Sequence, residues 1–369
     1  MMPILKLFSI LAMVVLILTY IGGSALACTG VRLVTEDSST VYGRTMEWGA
    51  FDLHSRVVIV PSGQNFTGLV PDGMQGKRWK SKYGFVGIDM LKKDFFADAM
   101  NEKGLAAGLF YHPGYASFPE YRKSQADNSI SSGDVVTYIV SQFATIDEVK
   151  TGMENVRVVG VVEGSLGKSI EAHWMITEQS GKSIVIEYAD GKMKIFENPL
   201  GVLTNAPTFD WHMTNLRNYI NVSPVAVPAK KLSKVNFAPL GGGSGMIGLP
   251  GDFTPPSRFV RVVAWSQTAR PLSNAVEGVY ETFRILDNFN VPLGAAEGSD
   301  NAGKEEGLRS ATLWTTAWDL QNKKLFYHTQ HNRKVRTVDL SRIDFSPKGK
   351  VIKFAMDKKN DQNFEDVTP

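Results

Sequence analysis

The chain contains a single cysteine, Cys28, and this cysteine directly follows a segment with the layout of a secretory signal peptide. Lys6 supplies a positive charge, the stretch from Leu7 to Ile21 is mostly apolar, and Ala25-Leu26-Ala27 offers the small residues of a cleavage site. The apolar stretch is shorter than the roughly 20 residues that cross a bilayer. The sequence therefore predicts a signal peptide at residues 1–27 and a mature protein that begins with Cys28.

The position of Cys28 also restricts what its thiol can do. A single cysteine cannot form an internal disulfide framework. In an exported protein it is a free thiol in an oxidising compartment, which favours a functional role over an inert one. We therefore expect a periplasmic or secreted protein with a reactive Cys28. Two alternatives of another class stay open, namely an envelope protein anchored by a lipid on Cys28 and a secreted binding protein without catalytic activity.

Cleavage before Cys28 would place a thiol and an α-amine on the same residue. An α-amine titrates near about 7.7–8.0, several units below a lysine, so its neutral form can accept the thiol proton and later return it to a leaving amine. Attack of the thiolate on a carbonyl would form an acyl-enzyme that water hydrolyses. A Cys–His dyad stays open as an alternative, with four candidate histidines at His112, His173, His212 and His328.

Composition excludes several other functions. A net charge of +3 creates no strong field for nucleic acid or acidic membranes. The glycine-rich loop Gly241–Gly245 lacks the lysine and hydroxyl residue of a phosphate-binding loop. The six histidines are scattered along the sequence, and no metal-ligand spacing is present. We expect no cofactor, no metal, no nucleic-acid partner and no membrane association once the leader is removed.

Alternating apolar residues and turn signals predict strands at both ends of the mature chain, with helices between them. No linker or repeat interrupts residues 28–369, which we expect to form a single domain. The longest predicted helix is Gly133 to Glu154, and helices are also predicted for Trp211–Ile220, Ser257–Arg270 and Leu272–Leu286. The predicted strands are Cys28–Val34, Val41–Trp48, Arg56–Pro61, the two halves of Ala97–Leu109, His173–Thr177, Ser183–Tyr188, Thr312–Asp319 and Lys324–Thr329.

A set of short motifs in a fixed order resembles the choloylglycine hydrolase family, which contains conjugated bile salt hydrolases and penicillin V acylases. This family belongs to the N-terminal nucleophile hydrolases. The resemblance implies an α+β fold, a four-layer αββα sandwich of two stacked antiparallel sheets flanked by helices, and a homotetramer. The motifs are Cys28-Thr29-Gly30, Gly43–Glu47, Met100–Leu105, His173-Trp174, Leu203–Phe209, Gly248–Asp252 and Ser257–Arg261.

The resemblance also implies roles for individual residues. Cys28 would be the nucleophile, and Arg44 would be a charged neighbour that stabilises its thiolate. Arg258 matches a family arginine close to the nucleophile. Asn205 matches the asparagine whose side-chain amide helps to bind the oxyanion. Glu47 stands where the family usually has an aspartate that holds the α-amine, and its extra methylene must shift that contact or weaken it. Arg261 is expected to be structural.

The resemblance leaves the oxyanion and acyl-binding residues less defined. A backbone N–H that serves the oxyanion falls at Phe110 or Tyr111, and we choose Tyr111. Trp48, Phe110 and Tyr111 would form flat aromatic walls, which suit a phenoxyacetyl group or a straight acyl chain better than a hydroxylated steroid. We therefore predict an exported amide hydrolase that acts on a small-molecule amide such as penicillin V or an N-acyl homoserine lactone. A conjugated bile salt hydrolase is the alternative.

Overall fold

A computed structural model describes residues 28–164, 167–296 and 308–369 of the chain. The predicted signal peptide, residues 1–27, lies outside the described residues. The strands of the described part, in chain order, are β1 (Cys28–Val34), β2 (Thr40–Glu47), β3 (Arg56–Val60), β4 (Asn65–Leu69), β5 (Gln75–Lys80), β6 (Phe85–Met90), β7 (Lys93–Asn101), β8 (Ala106–Tyr111), β9 (Ser129–Ser131), β10 (Arg157–Val159), β11 (Val162–Glu163), β12 (Lys168–Ser169), β13 (Ala172–Thr177), β14 (Ser183–Ala189), β15 (Lys192–Glu197), β16 (Val202–Leu203), β17 (Lys230–Leu232), β18 (Val235–Phe237), β19 (Thr312–Asp319), β20 (Lys324–Thr329), β21 (Arg336–Asp339) and β22 (Ile352–Ala355).

Helices occupy much less of the chain than strands do. The α-helices of the described residues are α1 (Val135–Gln142), α2 (Ile146–Met153), α3 (Phe209–Asn215), α4 (Pro255–Thr268) and α5 (Ala275–Asp287). Short 3-10 helices lie at Pro71–Gly73, Lys123–Asn128, Ser132–Asp134, Leu216–Tyr219, Ser244–Met246 and Leu340–Arg342. Within the described ranges, no helix combines the length and the apolar character needed to span a membrane.

Two large antiparallel sheets carry the fold. The first has the strand order β16-β1-β2-β19-β20-β21, and the second has the order β15-β14-β13-β8-β7-β6-β3-β22. Helices α4 and α5 pack on the first sheet, and α1 packs on the second. One apolar core fills the space between the sheets, and another lies between the second sheet and its helices. The predicted α+β fold with four layers is confirmed.

The register of the first sheet places the start of β1 in its interior. Cys28 pairs with Met46 of β2, and Gly30 pairs with Leu203 of β16. Because these pairings are antiparallel, the residue that follows β16 by two positions, Asn205, lies opposite Cys28. The backbone nitrogen of Cys28 and the side chain of Asn205, 177 positions apart in sequence, are thereby brought into contact.

The predicted strands and the late helix pair are present, but the helix predicted for Gly133–Glu154 is divided in two. α1 ends before Phe143, which is extended, and α2 begins after Thr145, whose side chain caps it by accepting from the backbone N–H of Glu148 at 3.2 Å. The buried Asn101 side chain donates to the carbonyls of Val140 at 2.8 Å and Phe143 at 2.7 Å. These bonds satisfy carbonyls at the end of α1, so the helix can stop there.

The helix predicted at Trp211–Ile220 is shorter than expected. α3 ends at Asn215, and the 3-10 helix Leu216–Tyr219 follows it. The second helix of the late pair, predicted from Leu272, begins instead at Ala275. Its cap is Asn274, whose side-chain oxygen accepts the backbone N–H of Val276 at 3.0 Å.

Candidate active site

Cys28 begins β1 and is buried, with 3% of its surface exposed. Its backbone nitrogen donates to Asn205 Oδ1 at 2.8 Å. In the full-length chain this nitrogen is an amide, whereas cleavage before Cys28 would make it an α-amine at the same place. The thiol therefore lies at the inner end of β1, and its own nitrogen is held in a defined hydrogen bond.

Arg258, near the N-terminus of α4, forms hydrogen bonds to several polar groups around Cys28. Its Nη1 donates to the Cys28 carbonyl at 2.6 Å and to Thr29 Oγ1 at 2.8 Å, and its Nη2 donates to Asn205 Oδ1 at 2.7 Å. Its Nε donates to the carbonyl of Phe253 at 2.8 Å. Burial lowers the pKa of Arg258 to about 10, although the charges of Glu47 and Cys28 oppose this shift. The side chain remains a cation at neutral pH and fixes three polar groups around the thiol.

The side chain of Asn205 has one orientation that satisfies its neighbours. Guanidinium groups only donate hydrogen bonds, so the atom that faces Arg258 must be the amide oxygen. The amide nitrogen then donates to the backbone carbonyl of Tyr111 at 2.7 Å. Among the described residues, one of its two N–H bonds is used in this way. Asn205 thus links Cys28 to the end of β8.

Arg44 lies on β2 and is wholly buried between the two sheets. Its Nη1 donates to the carbonyls of Ala97, at 2.9 Å, and Leu109, and its guanidinium lies 4.4 Å from the centre of the Phe110 ring. Burial by itself would lower the pKa of Arg44, but the negative groups around it, foremost Cys28, outweigh burial and raise that pKa. A permanent cation next to Cys28 favours the thiolate form.

Glu47 ends β2 and lies on the same pocket as Cys28. Its Oε1 accepts from Thr312 Oγ1 at 3.3 Å, whereas its buried Oε2 has no hydrogen-bond partner among the described residues. Burial raises the pKa of Glu47 to about 7, although the charges of Arg258 and Arg44 oppose the rise. The expected contact between this carboxylate and the Cys28 nitrogen is not formed in the full-length chain, because that nitrogen donates to Asn205.

An apolar pocket opens beside Cys28. Trp48 and Tyr111 form one wall, with their ring centres 6.3 Å apart and nearly perpendicular, and the Trp48 ring also meets Phe51 edge-on at 5.5 Å. Apart from Cys28, Glu47 and the Tyr111 hydroxyl, the side chains around the pocket are apolar or aromatic. The lining residues are Cys28, Met46, Glu47, Trp48, Leu53, Met90, Leu91, Phe95, Leu109, Tyr111 and Ile170.

The side chains of Phe110 and Tyr111 lie on opposite sides of β8. Tyr111 lines the pocket, and its carbonyl accepts from Asn205. Phe110 points to the other side of β8, where its ring is wholly buried under Arg44 and against Gly30. The prediction of Phe110 as a pocket wall is therefore corrected, because neighbouring residues of a strand face opposite sides of the sheet.

Several pocket residues were not predicted from the sequence. Leu53, Met90, Leu91, Phe95 and Ile170 come from strand ends and from the segments between strands. Each is a common apolar residue without a motif, so no sequence signal distinguishes it from an ordinary core residue. Arg261, predicted to be structural, donates to the carbonyls of Pro250 at 2.7 Å and Asp252 at 2.6 Å.

Three of the four candidate histidines, although scattered in sequence, meet behind Asn205. His212 Nε2 contacts the Asn205 carbonyl at 2.8 Å, and His173 stacks on His112 with ring centres 4.1 Å apart. His328 lies elsewhere, next to Asp287. Within the described ranges, no histidine forms a hydrogen bond to the Cys28 thiol, so the contacts give no support to a Cys–His dyad.

His112, His173 and Glu187 bring their ligand atoms within 4.8 Å of one another, which raises the question of a metal site. The two imidazole rings lie almost parallel, at 12°. Ring nitrogens bind a metal along lone pairs in the ring plane, and parallel stacked rings do not direct these lone pairs to one point. Both nitrogens of His173 already contact Glu187 and Thr204, at 2.9 and 3.1 Å. His173 and Glu187 thus belong to a hydrogen-bond network, and the stacked pair of rings does not fit a metal.

Comparisons with known proteins agree with this geometry. The family described as linear amide C–N hydrolases, choloylglycine hydrolase family, matches residues 28–353. A bile salt hydrolase/transferase of Clostridium perfringens is 31% identical over 317 residues, which cover 85% of this chain and 93% of that enzyme. A crystal structure of a mutant conjugated bile acid hydrolase from Clostridium perfringens has a TM-score of 0.79 at 27% identity, and the match covers 92% of this chain and 100% of that one. A penicillin V acylase from Agrobacterium tumefaciens has a TM-score of 0.70 at 26% identity, with 88% of this chain and 90% of that one covered.

Proposed function

Because this chain belongs to the choloylglycine hydrolase family of linear amide C–N hydrolases, we propose that it is an exported acylase that uses the N-terminal Cys28 as its nucleophile. Family membership makes the chain an enzyme, which removes the alternative of a binding or anchored protein without catalytic activity. The observation that carries the proposal is the position of Cys28. Its thiol lies at an apolar pocket, and its nitrogen and carbonyl are held by Asn205 and Arg258.

The proposed reaction begins with removal of residues 1–27, which converts the Cys28 nitrogen into an α-amine. The neutral amine takes the thiol proton, and the thiolate attacks the carbonyl carbon of the amide. Arg44, buried next to Cys28, favours the thiolate. The remaining N–H of the Asn205 amide stabilises the negative oxygen of the tetrahedral intermediate, a contribution typically worth about 10²–10³-fold in turnover.

Collapse of the intermediate breaks the C–N bond. The proton held by the α-amine passes to the leaving nitrogen, the amine product departs, and a thioester remains on Cys28. Water then attacks the thioester with the α-amine as its base, and the carboxylic acid is released. Glu47 lies on the pocket at the end of β2, and we propose that it helps to place the amine after leader cleavage.

We propose that the acyl group of the substrate is apolar and either flat or unbranched, as in penicillin V or an N-acyl homoserine lactone. The pocket beside Cys28 supports this choice, because Trp48 and Tyr111 line it together with apolar side chains such as Leu53 and Ile170. Few of its groups could bind the hydroxyls of a steroid. The similarity to a penicillin V acylase of Agrobacterium tumefaciens points the same way. A conjugated bile salt hydrolase is the second candidate, favoured by the similarity to the enzyme of Clostridium perfringens.

A substrate panel tests this choice. We expect the mature protein to release amine from penicillin V or from N-acyl homoserine lactones with a higher kcat/KM than from glycine- or taurine-conjugated bile salts. Trp48→Ala should change the ranking within the acyl series, whereas Trp211→Ala, a matched change at an exposed tryptophan outside the pocket, should leave it unchanged. A kcat/KM for bile salts more than about tenfold above the other amides would support the second candidate.

Export and assembly are part of the proposal. We propose that the protein is periplasmic or secreted and forms a homotetramer. The mass of the protein purified from the cell envelope or medium should correspond to residues 28–369 with a free N-terminal cysteine, and a diacylglyceryl-cysteine would contradict simple secretion. Light scattering of the same sample should give four times the chain mass, and a monomeric mass would contradict the tetramer.

A further inference from the structure

A buried hydrogen-bond network supports the backbone of Asn205 on the side away from Cys28. His173 Nε2 contacts the carbonyl oxygen of Thr204 at 3.1 Å, and His212 Nε2 contacts that of Asn205 at 2.8 Å. A carbonyl oxygen only accepts hydrogen bonds, so both Nε2 atoms must carry a hydrogen. Two consecutive carbonyls are thus held by two imidazole rings, and all four residues are buried.

Glu187 is the hydrogen-bond partner of the other ring nitrogen of His173. Its Oε1 lies 2.9 Å from His173 Nδ1 and also accepts the backbone N–H of Phe209 at 3.0 Å. A neutral His173 with its hydrogen on Nε2 presents a lone pair at Nδ1, so this contact needs one more proton. Burial raises the pKa of Glu187 and lowers the pKa of His173 to about 3. Both shifts favour the carboxyl over the imidazole as the carrier of that proton, so the hydrogen bond runs from the carboxyl to Nδ1.

His212 is held in the same uncharged state. Burial lowers its pKa to about 4, and its ring stacks on Phe259 with centres 4.7 Å apart and planes within 13°. The ring is thus fixed on its face by Phe259 and at its edge by the Asn205 carbonyl. An uncharged, packed donor sets the position of this carbonyl without adding a third cation near the thiol.

We propose that His173, His212 and Glu187 are positioning residues of this hydrolase. They hold the backbone of Thr204 and Asn205 and thereby aim the Asn205 side chain at Cys28. This role rests on the proposed binding of the oxyanion by Asn205. A donor displaced by about 1 Å typically costs on the order of 10²-fold in rate, so a network without contact to the substrate can still control turnover.

Paired variants separate positioning from simple packing. His212→Phe keeps a ring that can stack on Phe259 and removes the donor to Asn205, and His212→Gln returns an N–H donor. Glu187→Leu removes the partner of both His173 Nδ1 and the Phe209 N–H, whereas Glu187→Gln keeps an amide that can donate to Nδ1. His328→Phe is the matched control, because His328 is also a buried histidine in contact with a phenylalanine but lies outside the network.

Turnover and thiol reactivity are measured for each variant. We expect His212→Phe and Glu187→Leu to lower kcat by about 10–100-fold with little change in KM, because an oxyanion donor acts in the transition state. The rate of Cys28 alkylation by iodoacetamide should stay within about twofold of wild type, since alkylation forms no oxyanion. His212→Gln should recover most of kcat, and His328→Phe should match wild type. Glu187→Gln should recover only part of kcat, because an amide nitrogen that donates to His173 Nδ1 cannot also accept the Phe209 N–H.

Several results would overturn the proposal. Wild-type kcat in His212→Phe would do so, as would a parallel fall in alkylation and kcat, which indicates general loss of structure. Wild-type kcat in Glu187→Leu would remove Glu187 from the positioning network. If wild type cleaves no amide, the proposed function fails, but p-nitrophenol release from p-nitrophenyl octanoate still passes through an oxyanion. The same variant pattern in that assay would then uphold the positioning role.

Discussion

Replacing Glu47 by glutamine should stabilise the folded protein at alkaline pH and leave its stability in acid unchanged. Glu47 is buried, and burial raises its pKa from 4.5 to about 7. A carboxyl group whose pKa is raised by folding favours the native state below its unfolded pKa, and this advantage is lost as pH rises through the folded pKa. Wild type should therefore lose stability between about pH 4.5 and pH 7 relative to a variant that cannot ionise.

The size of the stability difference follows from the shift in the pKa of Glu47. Each pKa unit corresponds to about 1.4 kcal/mol, so the rise to about 7 predicts a difference of about 3 kcal/mol above pH 7.5. Glutamine has nearly the shape of a protonated glutamate, so packing around Thr312 and the pocket is preserved. The Gln variant should accordingly match wild type near pH 4.5 and exceed it by about 3 kcal/mol at pH 8.5.

The assay is urea unfolding at a series of pH values from 4.5 to 8.5. Both proteins carry Met-Lys before Cys28, so that the Cys28 nitrogen stays an amide as in the full-length chain and does not itself titrate. Glu36→Gln, at an exposed carboxyl, serves as the control and should show no comparable pH dependence. A difference between Glu47→Gln and wild type that is the same at every pH would refute the argument, because Glu47 would then keep one charge state throughout.

Three further predictions concern the nucleophile Cys28, the neighbouring Arg258 and the packing of Gly43 in the first sheet. Cys28→Ser should lower amine release by more than about 10³-fold with an unchanged circular dichroism spectrum, and wild-type turnover would contradict the nucleophile assignment. Arg258→Lys should lower the free energy of unfolding in urea by about 3 kcal/mol or more. A lysine ammonium cannot replace at least two of the hydrogen bonds that the forked guanidinium makes at this site. A decrease below about 1 kcal/mol would oppose this prediction. Gly43→Ala should destabilise by about 1–3 kcal/mol, because its Cβ would lie 2.6 Å from the Thr316 carbonyl, whereas Gly241→Ala meets nothing within 4 Å and should be neutral in the same measurement.

The local elements were largely predictable because their signals are local. The hairpin of β1 and β2 follows from alternating residues around a polar turn, and the late hairpin follows from the same rule. The break between α1 and α2 was not predictable, since the carbonyls at the end of α1 are satisfied by Asn101, which lies at the end of the distant strand β7. Periodicity within a helix contains no information about such a partner.

The order of residues along the chain is enough to show one thiol directly after a leader-like segment, and the ordered motifs indicate which residues belong near it. How these residues meet depends on the three-dimensional fold. The antiparallel pairing of β1 with β16 sets Asn205 opposite Cys28, and the same fold gathers His173 and His212 behind it. It also directs the Tyr111 side chain into the pocket and the Phe110 side chain into the core between the two sheets. These outcomes depend on which strands become neighbours, and strand neighbours are chosen by burial of the whole sheet, which no local stretch of sequence encodes.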